Sequence, residues 1–182
     1  MNATKHTVTD FNRNRRKYRP RRVRFLLIAE SPPSSGGFFY FGTTIGKDHL
    51  FRETMKALEL WPRNEPMRKG VDKRTMLRHF QSMGFYLLDA SVFPVDKLRP
   101  IERRKTVLNQ TGRLVRDVIE ANPVHILIVK SSIFNPVRNA LRESGLSNRV
   151  LNTRPVSFPS HGNQRTYRSV LRRALRRAHL SL

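Results

Sequence analysis

The chain contains no cysteine among its 182 residues. This absence excludes disulfide bonds, zinc fingers and metal clusters held by thiolates. No apolar run approaches the roughly 20 residues that a helix needs to cross a bilayer. The N-terminal residues 1–22 also lack the apolar stretch of a signal peptide. We therefore expect a cytoplasmic, intracellular protein that uses no metal or other cofactor and has no membrane partner.

Acidic residues are scarce: 13 Asp and Glu stand against 36 Lys and Arg, which gives a formal net charge of +23. Self-repulsion of this size costs stability, so a polyanionic partner is the natural counterpart. Nucleic acid is the first choice, ahead of an anionic membrane or an acidic protein. General basicity or solubility is a weaker explanation, because the arginines cluster within 13–22 and 165–177. We expect a monomer that binds single- or double-stranded DNA and is nucleoid-associated through it.

Apolar runs alternate with segments of helical periodicity along the chain. Residues 1–21 are polar and basic without periodicity, which predicts a flexible N-terminal arm. Residues 22–182 then form one domain. Continuously apolar strands are typical of a parallel sheet that is covered on both faces. The prediction is an α/β fold, a three-layer α/β/α sandwich with a central, mainly parallel four-stranded sheet. The strands are predicted at 23–29, 85–90, 125–129 and within 149–158, with the last helix at about 164–180.

A carboxylate and a group of aromatic residues follow the first predicted strand. Glu30 comes directly after the apolar run, and Phe38, Phe39, Tyr40 and Phe41 follow a loop of Ser, Pro and Gly. The carboxyl ends of parallel strands are where ligands bind in such folds. The segment therefore indicates a site that could hold a flat ligand. Alternation should place about half of the rings in the core, and Glu30 taken alone could be a solvated strand-end residue.

Four segments at predicted strand ends occur in a suggestive order. The first reads AESPP and GFFYFG, the second YLLD with prolines after it, the third HILIV, and the fourth FPSHGN before the terminal helix. In this order they resemble the motifs of the uracil-DNA glycosylase superfamily, most of all its iron–sulfur branch. The resemblance covers roughly residues 22–178. The cluster cysteines of that branch are absent from this chain.

The resemblance implies a monofunctional enzyme that flips a damaged base out of DNA and hydrolyses its N-glycosidic bond. Glu30 would stabilise the sugar cation and orient a water molecule. His161 would donate to the departing base or contact phosphate, unless it is simply an exposed loop residue. Tyr40, or Phe39 if the register shifts, would stack on the base.

Two positions depart from the motifs. Phe158 stands where the family has a histidine, and Asp89 stands where it has a base-reading asparagine. We take both as base-binding positions. An ionised Asp can only accept hydrogen bonds, so it would repel O4 of uracil. Either Asp89 is protonated in a dry pocket, or the preferred base is not uracil, or Asp89 caps the next turn instead.

The loop before the last helix, and the basic face of that helix, are the predicted DNA contacts. Such residues would follow the phosphate backbone without reading sequence, although the arginines could merely solubilise the helix. A non-catalytic nucleic-acid-binding protein on the same fold is the main alternative, and an RNA- or ribosome-associated protein is a weaker one. The predicted DNA-binding residues are Ser160, Asn163, Arg165, Arg168 and Arg172.

Overall fold

A computed structural model describes residues 6–62, 66 and 68–180. Strands and helices alternate along the chain, as expected for an α/β protein. A short 3-10 helix, Ser147–Arg149, precedes the last segment. The elements in chain order are α1 Val8–Lys17, β1 Phe25–Ala29, β2 Thr43–Ile45, α2 His49–Ala57, β3 Lys69–Asp72, α3 Arg74–Ser82, β4 Phe85–Asp89, α4 Pro100–Ala121, β5 His125–Ile128, α5 Ser131–Glu143 and α6 Gln164–Arg177.

The central sheet consists of three parallel strands in the order β4-β1-β5. Ala29 is in register with Asp89, and Ile28 with Ile128, so the three strands end at one edge. Every residue of β1 is buried, which agrees with its continuously apolar sequence. The α/β class is therefore confirmed.

The predicted fourth strand is wrong. Only an isolated parallel bridge joins Val150 to Ile126 beyond β5. Two residues later the Asn152 side chain replaces the backbone: Ile128 N donates to its Oδ1 at 3.0 Å, and its Nδ2 donates to Ile128 O at 3.2 Å. A side chain that occupies both backbone groups of Ile128 ends the ladder there, because each group would otherwise pair with a strand.

Two pairs of helices pack against each other. Helix α2 lies against α6, and α4 lies against α5. None of the helices in the described ranges is long and apolar enough to cross a membrane. The three-layer arrangement itself stays a prediction.

Residues 8–17, predicted to belong to a flexible arm, instead form helix α1. Thr7 and Asp10 make a capping box, with Asp10 N donating to Thr7 Oγ1 at 3.2 Å. Phe11 and Arg15 lie four residues apart on one helix face, and both are buried, as is Tyr18 just beyond the helix. The segment is polar overall, yet these three side chains fix it to the domain.

A small antiparallel sheet of β2 and β3 is attached to the main body by a buried ion pair. Lys73 Nζ donates to Asp48 Oδ2 at 3.0 Å and to Phe38 O at 2.9 Å, and lies 4.3 Å from the centre of the Phe51 ring. Burial lowers the pKa of Lys73 to about 8, although Asp48 opposes this shift. The pair connects the small sheet to α2 and to the aromatic segment after β1.

Candidate functional site

A cavity of about 260 Å³ opens at the edge where the parallel strands end. The residue at or after the end of each strand lines it: Glu30 from β1, Asp89 from β4 and Lys130 from β5. This volume lies just below the usual range of small-molecule pockets, about 300–1,000 Å³. The cavity therefore suits a small, flat ligand. Its aromatic wall consists of Phe38, Phe39, Phe51 and Phe158.

Glu30 lies at the cavity with only 5% of its side chain exposed. Ser132 Oγ donates to its Oε1 at 2.8 Å. Its Oε2 accepts a hydrogen bond from Lys130 Nζ and lies 3.8 Å from Arg103 Nε. Both carboxylate oxygens are thus engaged, and two cations share one of them. The structure places Glu30 at the sheet edge as the sequence predicts, but with partners that the sequence did not indicate.

Lys130 is a residue of this site that sequence reasoning missed. It lies two residues after the end of β5, and Ile128 is in register with Ile28, so the segments IVK and IAE occupy corresponding positions and Lys130 corresponds to Glu30. Its backbone has φ 90° and ψ 121°, a conformation that costs a non-glycine residue energy. Its N–H donates to Val156 O at 2.8 Å, which holds the segment in place. Strained residues of this kind concentrate at functional sites.

Of the two aromatic residues predicted to stack on a base, only Phe39 lies at the cavity. Phe39 lines the cavity, with its ring centre 5.3 Å from those of Phe51 and Phe80. Tyr40 is fully buried in the core and is not among the lining residues, which corrects its assignment as the base-stacking ring. Its hydroxyl accepts from Leu87 N at 2.7 Å and donates to Leu87 O at 3.3 Å. Because β4 is an outer strand of the described sheet, Tyr40 satisfies backbone groups that no neighbouring strand reaches.

Asp89 also lines the cavity, and its carboxylate is paired with Arg15 of helix α1. Its Oδ2 accepts from Arg15 Nη2 at 2.6 Å, and both side chains are less than a tenth exposed. Its backbone oxygen accepts from Arg113 Nη2 at 2.8 Å. Burial raises the pKa of Asp89, while Arg15 opposes that shift by favouring the ionised form. No local sequence pattern indicates Arg15 as a partner of Asp89, because it lies 74 residues away along the chain.

The loop before α6 reaches the cavity through Phe158 alone among its predicted site residues. His161 is exposed and is not among the lining residues; its Nδ1 lies 2.9 Å from Ser160 Oγ. This placement corrects its assignment as a group that reaches the base. Asn163 precedes α6 and donates to Ser160 O at 3.1 Å.

A histidine that the sequence analysis did not single out, His49, lines the cavity. His49 is the first residue of α2, and its Nδ1 is buried without a hydrogen-bond partner in the described part of the chain. Burial lowers the pKa of His49, and Arg52 adds to the effect. Neutral imidazole is thereby favoured at the cavity wall. Its only sequence signal was its position at the start of a helix after the aromatic group.

Two of the three predicted DNA-binding arginines on α6 have structural partners. Arg168 forms an ion pair with Glu53, whose side chain is 1% exposed. Arg172 donates to Ala57 O and Lys56 O, both at 3.2 Å, and so binds carbonyls at the end of α2. Arg165 is exposed. The idea of a purely solvated basic face is therefore wrong for Arg168 and Arg172, which hold α6 against α2.

The segment between β4 and α4 reaches the cavity lining at one residue, Asp96, and we name residues 91–99 the rim loop. Asp96 lines the cavity and accepts from Ser34 N at 3.0 Å and Ser34 Oγ at 2.7 Å. Val95 N donates to Ser31 Oγ at 3.3 Å. Large apolar side chains and basic ones are exposed together on and beside this loop. They are Phe93, Lys97, Leu98, Arg99 and Ile101.

Across residues 6–62, 66 and 68–180, no group of three His, Cys, Asp or Glu side chains could hold a metal ion. No protein-family model and no curated protein matches the chain. The likeness to uracil-DNA glycosylases therefore depends on the order of the sequence motifs, and it stays a prediction.

Proposed function

We propose that this protein is a DNA glycosylase-like enzyme, which binds DNA and hydrolyses the N-glycosidic bond of uracil or a related damaged base. The observation that carries the proposal is the buried Glu30 carboxylate in the wall of an aromatic-lined cavity at the sheet edge. A base turned out of the helix would enter this cavity. Its sugar would then remain at the mouth, close to Glu30 and Lys130.

The cavity wall supports a base as the ligand. Phe39 and Phe158 both line it, and neither carries a polar group that would have to be satisfied. Base–aromatic contact contributes about 1–3 kcal/mol per base and tolerates different bases. Asp89 adds a carboxylate that favours a base edge carrying hydrogen-bond donors. This combination fits a purine or pyrimidine with a ring N–H better than it fits a sugar or a peptide.

The rim supports DNA as the carrier of that base. Proteins that flip or unstack bases insert apolar side chains between base steps and hold the phosphates with basic ones. Phe93 is 52% exposed and Ile101 is 72% exposed, with Lys97 and Arg99 between them. The formal net charge of +23 adds a general attraction to polyanions. Together these groups expose the two residue types that a distorted DNA duplex requires, on and beside the loop that contributes Asp96 to the cavity.

One observation favours the alternative, a non-catalytic nucleic-acid-binding protein. Glu30 already contacts Lys130, Arg103 and Ser132, so its charge is compensated before any substrate arrives. A compensated carboxylate stabilises a sugar cation less than a free one does. Catalysis through Glu30 accordingly requires that DNA phosphates compete for the two cations.

An excision assay separates the two functions. The protein is incubated with single-stranded and duplex oligonucleotides that carry uracil, hypoxanthine or xanthine, and abasic sites are then cleaved with alkali. The enzyme proposal expects cleavage for at least one base, with a strong loss in Glu30→Gln. DNA binding by the variant, measured by fluorescence anisotropy, should be unchanged.

The matched control is Glu102→Gln, since Glu102 is a half-exposed glutamate at the start of α4 that interacts with Arg99. Its excision activity should equal that of the unaltered protein. If folded, DNA-binding protein releases none of the three bases, the enzyme proposal fails and the binding protein remains. If Glu30→Gln excises at the original rate, Glu30 has no part in the reaction.

A further inference from the structure

Two lysines line the cavity, and Lys130 is the one whose amine contacts Glu30, where the sugar of a flipped nucleotide would lie. Its Nζ contacts Glu30 Oε2, and the side chain is 26% exposed, so both a carboxylate and an incoming group can reach it. The amine also lies 5.8 Å from the centre of the Phe158 ring. The strained backbone conformation of Lys130 determines the direction in which its side chain leaves the main chain.

The charges around Glu30 favour chemistry at Lys130. Lys130 and Arg103 share one oxygen of the same carboxylate, which places two cations beside a single anion. A guanidinium keeps its proton in proteins, whereas an ammonium can release one. Lys130 is therefore the cation of this group that can become a neutral amine, and Glu30 is the adjacent acceptor for its proton.

A lysine amine next to a carboxylate can form a Schiff base with a carbonyl compound. The abasic sugar that remains after base loss is such a compound, because its ring-opened form carries an aldehyde at C1′. We propose that Lys130 forms a covalent imine with this aldehyde, and that the protein is an abasic-site lyase. The enzyme would then be bifunctional, in contrast to the monofunctional chemistry that the resemblance implies. The inference rests on the proposed function, since it takes the product of base excision as its substrate.

The step balances without an added reductant or oxidant. The Lys130 ammonium gives one proton to Glu30, and the neutral nitrogen forms a bond to C1′ of the aldehyde. The carbonyl oxygen takes up a second proton from that nitrogen and, with the proton held by Glu30, leaves as water. The product is a protonated imine next to ionised Glu30. Loss of a C2′ proton to Glu30 then expels the 3′ phosphate, and water releases the sugar fragment and restores Lys130.

Borohydride trapping on a duplex with a pre-formed abasic site tests the proposal. Borohydride reduces an imine to a stable amine, so the expected result is a covalent protein–DNA adduct on a denaturing gel. Without borohydride, the strand should be cut on the 3′ side of the abasic site. Peptide mapping of the trapped adduct should place the modification on Lys130.

Two variants and one control make the test specific. Lys130→Arg keeps a cation beside Glu30 but cannot form the imine, and Lys130→Met removes the amine altogether; both should lose the adduct. Lys105→Met is the matched control, because Lys105 is an exposed lysine of α4 that is not among the residues lining the cavity. Its adduct should form as in the unaltered protein.

The proposal is overturned if the protein binds abasic DNA but gives no adduct, or if mapping places the adduct on another amine. Because the abasic site is made beforehand, the assay does not depend on base excision by this protein. Excision without trapping would refute the lyase alone. Trapping without excision of any tested base would refute the glycosylase and retain the covalent step.

Discussion

Two buried carboxylates lie at neighbouring strand ends of the same sheet, and their surroundings differ. Asp89 is paired with Arg15, and the two side chains are 3% and 7% exposed. Glu30 is paired with Lys130, which is 26% exposed and lines the cavity. Arg15 of the first pair is enclosed between α1 and the sheet, so only Asp89 faces the cavity, whereas both members of the second pair line it. The difference indicates that the Asp89 pair stabilises the fold and the Glu30 pair is available for chemistry.

The largest expected effect comes from breaking the enclosed pair. Arg15→Met leaves the buried Asp89 carboxylate without its cation, and loss of one partner of a buried pair costs about 3–5 kcal/mol. We expect the free energy of unfolding, measured in urea, to fall by that amount. Arg13→Met is the control, since Arg13 lies on the same helix and is 74% exposed; it should change stability by less than about 0.5 kcal/mol.

Asp89→Asn in the Arg15→Met background should recover part of the loss, because it removes the unpaired charge. If Arg15→Met and Arg13→Met unfold at the same urea concentration, the pair does not hold α1 to the sheet. Helix α1 would then contribute through Phe11 and Tyr18 alone.

A smaller loss is expected when the open pair is broken. Lys130→Met removes one partner of Glu30, but Ser132 and Arg103 still contact the carboxylate. A buried acceptor that loses one partner costs about 1–3 kcal/mol. Urea unfolding should therefore place Lys130→Met between the unaltered protein and Arg15→Met. A loss larger than that of Arg15→Met would show that the open pair is the main structural one.

The direction in which stability changes with pH should show whether burial or the Arg15 charge dominates the pKa of Asp89. Burial raises the pKa of Asp89 above its ordinary value of 3.8, so the folded state binds this proton more tightly than the unfolded state. The contribution of Asp89 to stability is therefore fully present below the unfolded-state pKa of Asp89. It is lost as the pH rises through the folded-state pKa. We expect the stability of the unaltered protein, relative to Asp89→Asn, to decline with rising pH above about 4. A relative stability that instead falls on acidification would mean that Arg15 outweighs burial.

The comparison also shows why the sequence could predict only part of the site. Glu30 follows a continuously apolar strand, and that local pattern is enough to place it at the sheet edge. Arg15 and Asp89 meet across 74 residues, and no local periodicity in a polar segment indicates such a contact. The same holds for Tyr40, whose burial depends on β4 being an outer strand, and for Asn152, whose side chain takes the place of a fourth strand. Residues that satisfy distant backbone or charged groups are recognised only once the strand order is known.

The smallest expected effect concerns DNA binding by α6, where exposed and enclosed arginines again differ. Arg165 is exposed, whereas Arg168 is paired with the buried Glu53. If Arg165 contacts a phosphate, Arg165→Gln should weaken DNA binding by a similar factor for all sequences and reduce the slope of log K against log salt by about 1. Arg168→Gln should leave that slope unchanged and lower the free energy of unfolding instead, because Glu53 Oε2 loses its partner while Arg52 still donates to Oε1. Fluorescence anisotropy at several salt concentrations, combined with urea unfolding of both variants, makes the comparison. Equal slopes for both variants and the unaltered protein would remove α6 from the DNA-binding surface and leave that role to the basic residues of the rim loop.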